Sequence, residues 1–264
     1  MKKILKSVKT KRLLTSILGH RIVNLLRKVA FKLFPGLFEE SRESIKKRQR
    51  FYNQFINSND LVFDVGANIG NRVRPLLNIG ARVVAIEPQK ECYEILEMKF
   101  GKKIEIVPMA LGETEEIKDF FVAEANMLSS FSTEWIESVK KNGLRAEPRK
   151  IQTTTLNKLI DKYGLPKFIK IDVENYEFEV LKGLTYAVDI ISFEYAIPKI
   201  QKIKDCINQI EKYNSDTEYN FSIGESMEFA LTDWQSVTDF KNYIFAKEFI
   251  ATGSGGDIYV RRIR

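Results

Sequence analysis

Histidine is almost missing from this 264-residue chain: His20 is the single one, and cysteine is limited to Cys92 and Cys206. So few nitrogen and sulfur donors, so far apart, do not make the usual zinc site. The same scarcity leaves carboxylates as the main source of a general base, because His20 belongs to the N-terminal segment. Two unpaired thiols suit a reducing compartment, and a cytoplasmic location is expected. No stretch is apolar for long enough to act as a signal-peptide core or a membrane span.

Positive charge is in excess, +7 overall, but it is unevenly placed. Residues 1–50 carry fifteen Lys/Arg against three Glu, a surplus of twelve, which leaves the rest of the chain at −5. A mildly acidic body argues against a broad nucleic-acid surface. Within the basic part, Leu14, Leu18, Ile22, Leu25, Val29 and Leu33 recur at helical spacing, and Pro35-Gly36 ends the pattern. Two uses follow for this amphipathic arm. It docks on the body or on a second subunit, or residues 1–36 lie on an anionic membrane face. There each nearby Lys/Arg contributes roughly 1 kcal/mol. A second, polar helix near 44–56 leads into the body and covers one side of it.

The apolar fraction of 44% is enough for one sizeable core with an appendage. From Asp60 onward apolar strands at 61–65, 82–86 and 103–107 alternate with helical segments near 70–79 and 89–99. A second set follows, with strands at 168–173 and 189–195 and helices near 176–184 and 199–213. Such alternation predicts a doubly wound α/β fold with a mostly parallel sheet. Between the sets, EEIKDFFVA and RKIQTTTL read as extra antiparallel strands, and 124–148 as a polar loop. Runs at 219–223, 226–231 and GDIYVRR read as strands in the tail.

In a doubly wound sheet, ligands bind beyond the carboxyl ends of the strands. The first strand ends in DVGANIGN, residues 64–71. Gly66 and Gly70 bare the backbone, and the next helix is expected to aim its N–H groups at the site. The spacing is not the GxGxxG of a dinucleotide site, since Asn68 stands where that pattern has glycine. Asp64 repels phosphate and attracts an ammonium. The second strand ends at Glu87, twenty-one positions after Gly66, where such folds place an acceptor for ribose hydroxyls. S-adenosylmethionine fits this pattern, with an ammonium, a sulfonium, a ribose diol and no phosphate. Its predicted contacts are Asp64, Gly66, Ala67, Asn68, Gly70 and Glu87, with Ala110 and Leu111 walling the adenine.

The segments VFDVGANIGN, VVAIEP, VPMALGE, TTTLNKLI, FIKIDVENYEFEVLKGL and ISFEY, in this order over about residues 60–200, resemble the FkbM family of S-adenosylmethionine-dependent methyltransferases. The resemblance implies a class I, Rossmann-like methyltransferase fold over residues 59–264, preceded by the helical arm of 1–58. It also implies O-methylation, commonly of sugars or sugar-bearing natural products. The expected acceptor is therefore a saccharide or glycolipid. One departure is Asn175, where the family commonly has glycine; asparagine tolerates a left-handed backbone better than most residues.

Methyl transfer to a hydroxyl needs alignment, exclusion of water and a base. Asp172 and Glu174 stand at the end of the fourth strand and Glu194 at the end of the fifth, and these three are the candidate catalytic groups. Asp172 and Glu194 also have the chemistry to hold a divalent metal such as Mg, an alternative held below the metal-free reading. The bland role for Asp172 and Glu174 is to cap the next helix or pair with Lys170. The hydroxyl-rich NMLSSFS, 126–132, reads as a cover for the site or as a surface loop. Trp135 and Trp234 are expected in the core rather than stacked on a sugar.

Rival functions fare worse. The Asn/Asp-Pro-Pro-aromatic and Pro-Cys strings of base methylation are missing, and a nicotinamide site fails on glycine spacing and on Asp64. A nucleic-acid methyltransferase and a membrane-associated scaffold with a degenerate fold remain the alternatives.

Overall fold

The computed structural model describes Val29 and residues 40–124, 128–197 and 199–263. Apart from Val29, the amphipathic helix predicted over 13–34 lies outside them, as do Asn126 and Met127. Helix α1 (Arg42–Tyr52) is capped by Ser41, whose hydroxyl accepts the Ser44 N–H at 3.1 Å. Strands and helices then alternate: β1 (Leu61–Val65), α2 (Val73–Ile79), β2 (Arg82–Ile86), α3 (Lys90–Phe100) and β3 (Glu105–Val107). An insertion follows, with β4 (Ala110–Leu111), β5 (Ile117–Ala123), α4 (Thr133–Lys141) and β6 (Ala146–Thr154). The second half holds α5 (Leu156–Tyr163), β7 (Phe168–Ile171), α6 (Glu177–Lys182), β8 (Ile190–Ala196) and α7 (Ile200–Glu211). It ends with β9 (Thr217–Ile223), β10 (Gln235–Ser236), α8 (Val237–Ile244), α9 (Lys247–Ala251) and β11 (Gly255–Arg262).

Eight strands form one sheet in the order β10-β9-β11-β8-β7-β1-β2-β3. The five from β8 to β3 are parallel, and β11 runs antiparallel between β8 and β9. This is the doubly wound fold that the alternation predicts. Because β1 and β7 are buried on both faces, nearly every side chain in them is apolar. Phe63, Val65, Ile169, Ile171 and Phe193 pack on one face, and Val62, Phe168, Tyr52 and Tyr259 on the other. Helix α1 is part of the second core: Phe51 and Tyr52 are buried, and their rings meet those of Tyr259 and Phe168.

Strands β5 and β6 pair antiparallel as expected, but in a separate small sheet with β4. Two expectations fail. The stretch 124–148 is not loop throughout, because Ser132 caps α4 and Ile136 and Val139 bury one face of it. The run 226–231 is not a strand: Met227 is left-handed at φ +49°, and the Leu231 N–H goes to the Asn220 side chain instead of a ladder.

Candidate active site

The chain leaves β1 toward β2 on one side and reaches β7 on the other, so the ends of β1 and β7 flank a crevice. A cavity of about 320 Å³ opens there. Asp64, Gly66, Ala67, Asn68, Glu87, Ala110, Leu111, Asp172, Glu174 and Glu194 all line it. Gly70 alone of the predicted site residues is elsewhere. A Cβ there would fall 2.4 Å from the Phe100 ring and 2.8 Å from Leu96, so this glycine serves the packing of α3.

Gly66 borders the cavity, but its bare Cα faces the protein. An added Cβ would lie 1.9 Å from the Asp172 carbonyl oxygen, and φ is +81°. The glycine is thus required for the close passage of the two loops. Helix α2 starts at Val73, directly after the lining residues Asn71 and Arg72, but the loop before it supplies the backbone at the Glu87 end of the cavity. The Asn68 N–H is donated to Glu87 Oε2 at 2.8 Å, while the Gln89 N–H reaches Oε1 at 2.8 Å. The Gln89 side chain also bonds to this carboxylate, which lines the cavity. Burial pushes Glu87 up to about 7 despite these donors. Asp64 is 2% exposed, and its Oδ2 has no hydrogen-bond partner among the described residues. Burial raises its pKa to about 6.

The opposite wall is built by strand alternation. Register pairs Asp64 with Lys170, Lys170 with Ser192, and Glu194 with Asp257. Positions two apart share a face, so Asp172 and Glu194 stand one pleat above Lys170 and Ser192. Lys170 is fully buried and donates to Asp172 Oδ2 at 2.9 Å and to Asp257 Oδ1 at 3.2 Å. Burial alone would discharge it, but these two carboxylates keep it firmly protonated. The bland reading of Asp172 is therefore correct in part: it does bind Lys170.

The turn after β7 is left-handed at two successive residues, Glu174 at φ +54° and Asn175 at φ +73°. Asn175 thus does what the family's glycine would do there. Glu177 holds the turn by accepting the N–H groups of Val173 and Asn175 at 3.1 and 3.2 Å. The turn brings Glu174 beside Asp172 and Glu194, with one carboxylate oxygen from each inside a mutual 4.8 Å. Burial first, and the Asp172 charge next, push both Glu174 and Glu194 well above the carboxylate range. Such a cluster can take a proton, or offer hard oxygen ligands to a divalent cation.

Several lining residues escape a reading of the sequence alone. Arg72 donates to Glu225 Oε1 at 2.6 Å, and Arg48 to Oε2 at 3.1 Å. Although partial desolvation opposes it, these guanidiniums hold the largely exposed Glu225 down to about 2. Nothing local in the sequence marks a pair 153 residues apart. Asp257 did carry a signal, as a carboxylate inside the apolar run GDIYV. From the NMLSSFS segment, Ser129 and Phe131 line the cavity. Ser130 donates to the Glu174 carbonyl at 2.6 Å, and Asn175 donates to the Ser132 hydroxyl at 2.7 Å, fastening this segment to the turn. Trp234 packs on Phe229 and under Arg261, away from the cavity. In total, six carboxylates and one guanidinium line the cavity, a field that repels phosphate and attracts a cation.

The methyltransferase FkbM domain family matches residues 64–237. A relative 28% identical over 141 residues is the hexuronic acid methyltransferase AglP of Haloferax volcanii. The match covers 51% of this chain and 54% of AglP, so the chain spans about half the length of that curated relative. Among solved structures, the fold is similar to a precorrin-6y C5,15-methyltransferase of Geobacter metallireducens. That match has TM-score 0.44 and 8% identity, and covers 82% of this chain and 86% of that one. It is also similar to a TehB-like SAM-dependent methyltransferase of Corynebacterium glutamicum, at TM-score 0.44 and 8% identity, covering 93% and 100%.

Proposed function

The chain belongs to the FkbM methyltransferases, and from that premise we propose that it is an O-methyltransferase of a saccharide hydroxyl in a glycan, glycolipid or sugar-bearing natural product. The observation that carries the cofactor reading is the pair of buried carboxylates at neighbouring strand tips. Asp64 has an unpartnered oxygen suited to an ammonium, and Glu87 presents a carboxylate at the cavity, suited to accept from a ribose diol. Ala110, Leu111 and Phe120 give an apolar wall for adenine. When bound, S-adenosylmethionine supplies an electrophilic methyl group on a sulfonium. The saccharide acceptor is supported by the likeness to AglP, which by its name acts on hexuronic acid.

The chain's own residues align the acceptor, shield it and take its proton. Glu194 and Glu174, made more basic by burial beside Asp172, are placed to accept the hydroxyl proton. Lys170 fixes Asp172 and is not itself a base, since it stays protonated. The segment carrying Ser129 and Phe131 covers the cavity from the side of the small sheet.

Calorimetric titration tests the cofactor. S-adenosylmethionine binds and NAD does not, and Glu87→Ala weakens binding about tenfold to a hundredfold, as expected for loss of charged hydrogen-bond acceptors. Binding of NAD alone would end this reading. The same three acidic oxygens favour a second reading, a divalent cation that orients the acceptor. We expect activity to survive EDTA; a loss reversed by added Mg would select the cation.

A further inference from the structure

A smaller cavity of about 60 Å³ lies against the main one and shares Glu174 and Glu194 with it. Its remaining walls come from α6, β8 and the start of α7, with Trp135 of α4 at one side. Lys199 and Lys202 line only this smaller cavity. The two cavities differ in charge. The main one is acidic almost throughout, whereas the smaller one changes sign from three carboxylates, the shared Glu174 and Glu194 and the Glu177 that holds the turn, to the two ammoniums.

These ammoniums are loosely held. Their ion pairs run to a single oxygen of Glu134, at 3.9 Å from Lys199 and 3.7 Å from Lys202, and the Glu134 side chain is 68% exposed. Pairs at such exposure and distance contribute little. Lys202 also donates to the Asn175 carbonyl at 3.3 Å, and the Lys199 ammonium lies 5.3 Å from the centre of the Trp135 ring. Neither contact supplies a negative charge. Helix α7, twelve residues long, has no acidic residue in its first turn and no side-chain cap, so its own partial positive charge adds to theirs.

We propose that this smaller cavity is an acceptor subsite for an anionic group, and that the sugar methylated here is acidic. This rests on the saccharide O-methyltransferase reading above. A sugar acid matches the polarity at both ends. Its hydroxyls face Glu174 and Glu194, where a proton must leave, and its charged group meets Lys199 and Lys202 in place of Glu134. A neutral sugar satisfies only the first end. A carboxylate and a phosphate share the required chemistry, and 60 Å³ accommodates such a substituent while the ring lies toward the main cavity.

The test uses the full chain saturated with S-adenosylhomocysteine and three probes: methyl glucuronide, methyl glucoside and a phosphorylated methyl glucoside. Binding is read by calorimetry. At least one anionic sugar should bind about tenfold tighter than the glucoside, as charge-assisted hydrogen bonds predict. The tighter of the two anions identifies the acidic group. Lys199→Met with Lys202→Met should remove the preference, and Lys199→Arg with Lys202→Arg should keep it. S-adenosylhomocysteine affinity, unchanged in every variant, reports an intact fold. Equal binding of all three sugars, no sugar binding, or a preference surviving the double methionine variant overturns the subsite while leaving the methyltransferase reading standing. Failure of the wild type to bind S-adenosylhomocysteine overturns both.

Discussion

The two halves of the cavity handle charge in opposite ways. On the side of β1 and β2, Glu87 is held by the N–H groups of Asn68 and Gln89. On the side of β7 and β8, Glu174 and Glu194 crowd Asp172 within 4.8 Å, on a turn with two successive left-handed residues. The first half has its carboxylate set before any ligand arrives. The second holds like-charge repulsion that a proton or a cation relieves. A half that binds is best pre-formed, and a half that takes a proton is best built from carboxylates raised by burial and like charge.

Breaking the second half should cost most. Glu194→Ala is expected to lower kcat by about a hundredfold or more, in the range for loss of a general base, with S-adenosylhomocysteine affinity unchanged. An unchanged kcat would move the proton to Glu174 or to solvent.

The first half is sharpened by pH. Burial raises Glu87 to about 7, and a diol is accepted best by the ionised form. Cofactor affinity should therefore rise about tenfold from about pH 6 to about pH 8, and Glu87→Gln should flatten the rise. Stability of the free protein should run the other way. Carboxyls raised by burial contribute stability below their unfolded values and lose it as pH climbs through about 6 for Asp64 and about 7 for Glu87.

The loops that join the halves give smaller effects. Gly66→Ala should lower the unfolding free energy by about 2–4 kcal/mol, because a methyl group cannot share space with the Asp172 carbonyl. Asn175→Gly should shift it by less than about 1 kcal/mol, since φ +73° suits glycine. Thermal unfolding reads both, and equal effects would refute the contrast. The smallest expected change concerns the arm. Removal of residues 1–36 should abolish co-sedimentation with anionic vesicles and leave cofactor affinity unaltered. Unchanged co-sedimentation would reassign that segment to protein contacts.

Much of this was legible in the chain itself. An apolar run that stops on Asp64, a second that stops on Glu87 and a third followed by Asp172 and Glu174 mark strand ends, and strand ends in this fold are ligand ends. Those features are local: alternation, run length and the residue closing each run. Asn175 belongs with them, because its left-handed turn depends on its own backbone tolerance. Tertiary structure decided the rest. Gly66 against Asp172, Lys170 between Asp172 and Asp257, and Arg72 on Glu225 all depend on which strands become neighbours and in what register. Gly70 has the same cause, because its space is set by α3. Local pattern names the residues that reach the rim of a sheet; only packing across long chain separations decides which of them meet, and that meeting sets their charge.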